Sequence, residues 1–172
     1  MDEALVDMWN KDVKPGDTVY FLGDFAMKFN KVEEFLPRLN GHIKYNPGNH
    51  CAIHPMHKGH QNTLKKFRDI KVKGSLEVSG PEALMITGGR DLLMCHFPWA
   101  EVADNHSEEH NSYDDRFKEW KPKRIDFCKK TWLLSGHRHS KPENRIGDRV
   151  IDVGFDPWGR MVNLEEILEI VK

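Results

Sequence analysis

The sequence predicts a protein of the α/β class, arranged as one layered domain over residues 1–172. Helix and strand patterns alternate in the first half, whereas short apolar runs separated by glycine-rich turns dominate the second half. A length of 172 residues with 38% hydrophobic content is enough for one domain with a substantial core. It is too little for two domains of ordinary size.

The first half predicts helices and strands in alternation. Leu5, Val6 and Trp9 form the apolar side of an amphipathic helix over residues 1–10, which ends before the Lys-Pro-Gly turn at 14–16. The elements predicted after this turn are a strand over 17–22, a helix over 31–39, a strand over 42–46 and a helix over 61–69.

The second half predicts mostly strands. An antiparallel set is expected from four apolar runs, at 70–72, 76–78, 83–86 and 92–95. Residues 100–130 are polar and charged with helical stretches. The elements predicted after them are strands over 131–134 and 150–153 and a final helix over 163–171.

Composition excludes several classes of protein. A net charge of −1 gives no overall electrostatic signal for nucleic acid binding. The sequence has neither a signal peptide pattern nor an apolar run of the roughly 20 residues that a membrane span needs. The three cysteines contain no C-x-x-C pair, so reduced thiols are expected. We expect a cytoplasmic protein that does not bind a membrane.

Residues of metal-ligand type follow four of the predicted strands. They are Asp24, then Asn49 with His50, then His96, and finally His137 and His139 within LLSGHRHS, residues 133–140. In layered α/β folds the loops at the carboxyl ends of strands converge and form binding sites. A carboxylate, an amide and several imidazoles suit a transition ion better than Ca²⁺ or Mg²⁺. The sequence therefore predicts a site for Mn, Fe, Zn or Ni.

These residues resemble the motifs of the calcineurin-like metallophosphoesterases. The matching motifs, in the family's order, are Gly-Asp at 23–24, Gly-Asn-His at 48–50, His-Phe-Pro at 96–98 and Gly-His-Arg-His at 136–139. The tail DVGFDPW at 152–158 and NLEEI at 163–167 look like the ending of small bacterial and phage members. The resemblance implies a β-sandwich of mixed sheets flanked by helices, with a dinuclear metal site.

The resemblance also implies a role for each residue. Asp24 would bridge two metal ions. Asn49, His96 and His137 would complete the coordination of the second ion, and His139 would ligate the first. His50 would be the catalytic residue, close to the phosphate. Relatives hydrolyse phosphate monoesters or diesters by in-line attack of a hydroxide that the ions hold. The expected substrate is a phosphorylated small molecule or nucleotide, and Mn is the expected ion.

Two departures from the family pattern change what is expected. No D-x-H motif precedes Asp24, which implies that the family's first strand is missing and that one ion, served by His137, is held tightly. Cys51 stands where the family usually has an acidic residue. The alternative function is therefore a catalytically weak or inactive regulatory protein that keeps the fold and binds metal.

Other polar groups have simpler interpretations. His54, His57 and His60 are expected in a solvated loop at the rim of the site, and His106 and His110 on the surface. The basic stretch 118–124, with Lys129 and Lys130, is expected to be a solvated face, although it could also bind nucleic acid. Arg138 and Arg160 are further candidates for contacting phosphate.

Overall fold

The computed structural model describes residues 3–101, 117–124, 127, 129–147 and 149–172. Helices and two β-sheets make up the described part, which confirms the α/β class. The chain divides into two compact units, unit 1 over residues 1–81 and unit 2 over residues 82–172. The single domain expected over the whole chain stays a prediction. Within the described residues, no helix is long and apolar enough to cross a membrane.

Unit 1 contains a three-stranded parallel sheet whose strands lie side by side in chain order. The amphipathic helix at its start buries Val6 and Trp9, as predicted, and extends to Asp12. The elements of unit 1 are α1 (Glu3–Asp12), β1 (Thr18–Gly23), α2 (Phe29–Phe35), β2 (His42–Pro47), α3 (His60–Arg68) and β3 (Ser75–Val78).

Three predictions for unit 1 are wrong in detail. Strand β3 pairs parallel to β2, not antiparallel, because α3 carries the chain back across the sheet between them. Residues 70–72 form no strand, since the Ile70 N–H bonds to the Phe67 carbonyl and completes the end of α3. Helix α2 ends at Phe35 and a 3-10 turn, Leu36–Arg38, follows, because Pro37 has no N–H to continue the α-helix.

Unit 2 contains a five-stranded mixed sheet. The elements of unit 2 are β4 (Glu82–Thr87), β5 (Arg90–Cys95), β6 (Trp132–Ser135), β7 (Ile146–Gly147), β8 (Val150–Asp152), α4 (Phe155–Trp158) and α5 (Leu164–Ile170). The strands lie in the order β4-β5-β6-β8-β7. The β4–β5 hairpin and the β7–β8 pair are antiparallel, whereas β5, β6 and β8 run parallel.

The core of unit 2 lies on its parallel strands. Leu92, Leu133 and Ile151, on β5, β6 and β8, are completely buried. Strands β4, β5, β6 and β8 and helix α5 were predicted, and Asn163 caps α5 by accepting the Glu165 N–H. The short elements β7 and α4 were not predicted, because two- to four-residue elements have too little periodicity to detect.

Candidate metal centre

In unit 1, Asp24 and the Gly-Asn-His loop lie together. Strands β1 and β2 are parallel and end in register, with Gly23 opposite Pro47, so both following loops emerge at the same edge of the sheet. The His50 N–H donates to Asp24 Oδ1 at 2.8 Å. Asn49 is buried, whereas His50 is exposed. The structure therefore brings Asp24 and the 49–50 pair to one place, as the sequence predicts.

A buried network supports the turn that carries Asp24. The Tyr45 hydroxyl donates to the Gly23 carbonyl at 2.8 Å and lies 2.8 Å from the sulfur of Cys51. That sulfur is 3.7 Å from Asp24 Oδ1. Burial raises the pKa of the Cys51 thiol to about 11, and burial also raises the pKa of Tyr45 well above its usual value. Both groups therefore stay neutral beside the carboxylate.

The loop after Asn49 differs from the prediction. His54 is completely buried, so the expectation that it would be solvated is wrong. Successive turns, each closed by an N–H bonding three residues back, run from Gly48 through Cys51 and His54 to His57 and wind the loop inward. His57 is half-buried and donates its Nε2–H to the Asn49 carbonyl at 2.7 Å. His57 thus holds the backbone of a predicted ligand.

In unit 2, His96 and His137 are brought into direct contact. Parallel β5 and β6 pair in register up to Met94 and Leu134, and the two histidines follow at the same edge. The His96 carbonyl accepts the N–H groups of Gly136 and His137, at 3.2 and 3.0 Å. Both histidines are buried, and His96 Nε2 and His137 Nδ1 form a hydrogen bond of 3.1 Å.

This distance is compatible with two ligands of a single ion. Two nitrogens that bind one transition ion, each about 2.0–2.1 Å from it, are roughly 3 Å apart. The observed separation between His96 Nε2 and His137 Nδ1 is 3.1 Å. Aromatic rings enclose the pair, with Phe97 and Phe117 at 5.0 and 5.7 Å from the His137 ring centre. The donor chemistry and the spacing fit a borderline transition ion, which would take the place of the hydrogen bond between the two rings.

His139 lies two residues beyond His137, but its side chain has a different environment. It is 61% exposed, and its Nδ1 lies 2.5 Å from Asp156 Oδ2. Its backbone has a φ of 45°, in the left-handed region that a residue other than glycine rarely adopts. Asp156 lies within the tail motif DVGFDPW. It is 17 residues from His139, so no local sequence pattern predicts the contact between them.

Asp152 holds the segment around His139. It is buried, and its carboxylate accepts the N–H groups of Ser140 and Gly154, at 2.9 and 3.0 Å. Arg160 forms a two-point ion pair with Glu166, at 2.9 and 3.0 Å. Asp152 therefore has a structural role, and Arg160 is paired within its own unit.

Other candidates stand as follows. Within the described residues, no three His, Cys, Asp or Glu side chains come together as a metal site. Lys121, in the basic stretch, is buried, so that stretch is not uniformly solvated as expected. Cys51 and Cys95 are free thiols. His106, His110 and Cys128 lie outside the described residues.

Comparison with protein sequences finds relatives in phages and an archaeon. The chain is 30% identical over 178 residues to the Gene 66 protein of Mycobacterium phage L5, which covers 99% of this chain and 80% of that protein. The Gene 66 protein of Mycobacterium phage D29 is 26% identical over 176 residues, covering 99% and 82%. An uncharacterized protein of Methanocaldococcus jannaschii is 43% identical over 77 residues, covering 43% and 38%. No family model matches the chain.

Comparison with solved structures finds the same fold in a bacterial protein. The crystal structure of a protein of unknown function from Aquifex aeolicus matches with a TM-score of 0.64 and 24% identity. The match covers 97% of this chain and 83% of that one. The two proteins therefore share a fold.

Proposed function

The chain belongs to the family of the Gene 66 protein of Mycobacterium phage L5. From its sequence motifs and from the contact between His96 and His137, we propose that it is a metal-dependent phosphoesterase. The proposed reaction is hydrolysis of a phosphate monoester or diester in a phosphorylated small molecule or nucleotide. The proposed finer fold is the metallophosphoesterase-type β-sandwich. In unit 1 the proposed ligands are Asp24 and Asn49, and in unit 2 they are His96, His137 and His139.

The contact between His96 and His137 carries this proposal. Two imidazole nitrogens lie 3.1 Å apart at the ends of adjacent parallel strands. Burying a polar side chain costs free energy unless the side chain is hydrogen-bonded or binds a ligand. Imidazole pairs favour transition ions such as Mn, Fe, Zn or Ni over Mg²⁺, so Mn is proposed as the ion.

In the proposed reaction, different residues bind the metal ion and transfer the proton. A bound divalent ion would supply charge neutralisation for the phosphate and activation of water. The backbone of His50 is held by Asp24 at 2.8 Å while its ring remains exposed, which leaves that ring accessible to a substrate. An imidazole at neutral pH suits proton donation to a leaving oxygen. His50 is therefore proposed as the catalytic residue.

The alternative is a metal-binding regulatory protein with little or no turnover. It is favoured by the observation that only pairs of ligand-type side chains, and no groups of three, come together among the described His, Cys, Asp and Glu residues. Catalytic zinc-type sites commonly keep three protein ligands. Both functions predict metal binding, and only the enzyme predicts turnover that depends on His50.

Four variants separate ligands from the catalytic residue: Asp24→Ala, His137→Ala, His50→Ala and the control His42→Ala. His42 is exposed in unit 1 and contacts Ser75, not the proposed ligands. Bound Mn is measured by elemental analysis, and turnover with chromogenic phosphate monoesters and diesters. Circular dichroism verifies that each variant is folded.

We expect Asp24→Ala and His137→Ala to lose metal. His50→Ala should keep its metal and lose turnover by about 100-fold or more, the scale of general acid catalysis. His42→Ala should match the wild type in both assays. Metal loss in His50→Ala with metal retention in His137→Ala would overturn the assignment. Wild-type protein that binds Mn and hydrolyses neither substrate would favour the regulatory alternative.

A further inference from the structure

The contact between His139 and Asp156 fixes which nitrogen of the imidazole carries the proton. Nδ1 lies 2.5 Å from Asp156 Oδ2. An ionised carboxylate can only accept hydrogen bonds, so Nδ1 is the donor. In a neutral imidazole with its proton on Nδ1, the lone pair lies on Nε2. The contact therefore selects one of the two tautomers of His139.

The backbone on both sides of this pair is held by Asp152. Its Oδ2 accepts the N–H of Ser140, the residue after His139, at 2.9 Å. Its Oδ1 accepts the N–H of Gly154, two residues before Asp156, at 3.0 Å. One buried carboxylate thus ties the loop that carries His139 to the segment that carries Asp156.

Two further contacts hold the Asp156 side. Trp158 donates its indole N–H to the Asp152 carbonyl at 2.7 Å, and the Arg145 guanidinium lies 4.2 Å from the centre of the Trp158 ring. A Cβ atom added at Gly154 would lie 3.0 Å from Asp152 Oδ1 and 3.5 Å from the Gly136 carbonyl oxygen. A side chain at position 154 would therefore be tight against Asp152 Oδ1, which would have to shift slightly.

From this geometry we propose that Asp156 is a positioning residue that holds His139 in the Nδ1–H tautomer, in which Nε2 carries the lone pair that would bind a metal ion. The proposal rests on the proposed function for the identity of the ligand, a divalent transition ion. A metal-ligating histidine commonly donates its other ring N–H to a carboxylate, and this partner fixes the orientation of the ring. Asp156 occupies this place for His139, and Asp152 fixes the two segments that bring the pair together.

The proposal predicts a loss of metal affinity when Asp156 can no longer accept the hydrogen bond. Removal of such an orienting partner typically lowers metal affinity about 10–100-fold. Asp156→Ala should show this loss. Asp156→Asn should retain most of the affinity, because its amide oxygen can still accept from Nδ1–H. Glu169→Ala is the matched control, since Glu169 is an exposed carboxylate of unit 2 that pairs with Lys172.

The experiment has two independent readouts on the full chain. The tautomer of His139 is read from ¹⁵N chemical shifts of the imidazole nitrogens in metal-free protein with neutral imidazoles, and the His139→Gln variant assigns the signals. Mn²⁺ affinity is measured by isothermal titration calorimetry. We expect Nδ1–H in the wild type, Asp156→Asn and Glu169→Ala. In Asp156→Ala we expect the Nε2–H tautomer and weaker Mn²⁺ binding.

The two readouts separate failure of this proposal from failure of the proposed function. A wild-type His139 with its proton on Nε2 overturns the proposal whatever the variants do, so it stays testable even if Asp156→Ala does not fold. Unchanged affinity in Asp156→Ala for the Mn²⁺ ion whose binding His139→Gln abolishes also overturns it. If the wild type shows Nδ1–H and binds no Mn²⁺, the orienting role of Asp156 is supported and the metal-dependent function is wrong.

Discussion

At the scale of the residue, a single hydroxyl group supports the turn that presents Asp24. Tyr45 is buried on β2 and its ring stacks on Phe21 of β1, with ring centres 5.2 Å apart. Its hydroxyl reaches the Gly23 carbonyl at 2.8 Å, directly before Asp24. Gly23 has a φ of 137°, so the backbone turns there in a conformation that favours glycine.

Tyr45→Phe should destabilise the protein. The change removes the donor to Gly23 and leaves that carbonyl with the weaker contact from the Cys51 sulfur at 3.3 Å. We expect a loss of about 0.5–1.5 kcal/mol in the free energy of unfolding, the net contribution of a typical hydrogen bond. Urea denaturation measures it, with Tyr20→Phe as the control because Tyr20 is 36% exposed. Equal stability of the two variants would contradict the role given to the hydroxyl.

At the scale of the element, the start of β3 packs tightly against the start of β2. Gly41 and Gly74 precede the two strands, whose first residues, His42 and Ser75, are paired in register. A Cβ added at Gly74 would lie 2.1 Å from the Gly41 carbonyl oxygen. Backbone atoms cannot rotate out of the way as side chains do, so a side chain at position 74 would force the strands apart.

Gly74→Ala should therefore weaken unit 1, whereas Gly16→Ala should not. A Cβ at Gly16 would have no atom within 4 Å. We expect Gly74→Ala to cost about 1–3 kcal/mol or more, as overpacking does. Chemical denaturation of both variants is the measurement. The parallel β2–β3 register would be called into question if the two variants were equally stable.

At the scale of the whole molecule, stability and metal binding are linked in the proposed function. An ion that binds only the folded chain stabilises it, by about 2.7 kcal/mol at a concentration 100 times its Kd. In unit 2, His96 and His137 provide nitrogen ligands. Transition ions bind imidazole nitrogen well, whereas Mg²⁺ prefers oxygen ligands.

Mn²⁺ should therefore raise the melting temperature of the chain more than Mg²⁺ does. For a chain of this size we expect a rise of about 5–10 °C with saturating Mn²⁺. The His137→Ala variant should lose most of this rise because one of the two imidazoles is gone. Differential scanning calorimetry with each ion on metal-stripped protein is the measurement. An equal rise with Mg²⁺ and Mn²⁺ would show that the imidazoles are not ligands.

The sequence by itself determined where the polar residues of the candidate site stand in the fold. Apolar runs that stop at glycine or proline are local signals, and they correctly predicted that Asp24, His50, His96 and His137 follow the ends of strands. The same local signals predicted the α/β class and most of the helices.

Only the tertiary structure decided three other features of the fold and the site. The parallel pairing of β3, the burial of His54 and the contact of His139 with Asp156 were not predicted. Each feature depends on the conformation of turns and loops, which the hydrophobic periodicity of the sequence does not determine. Asp152 shows the reason most directly, since its one carboxylate joins residues 140 and 154 through their backbone N–H groups. A backbone N–H is present at nearly every position, so no side-chain pattern marks such a contact.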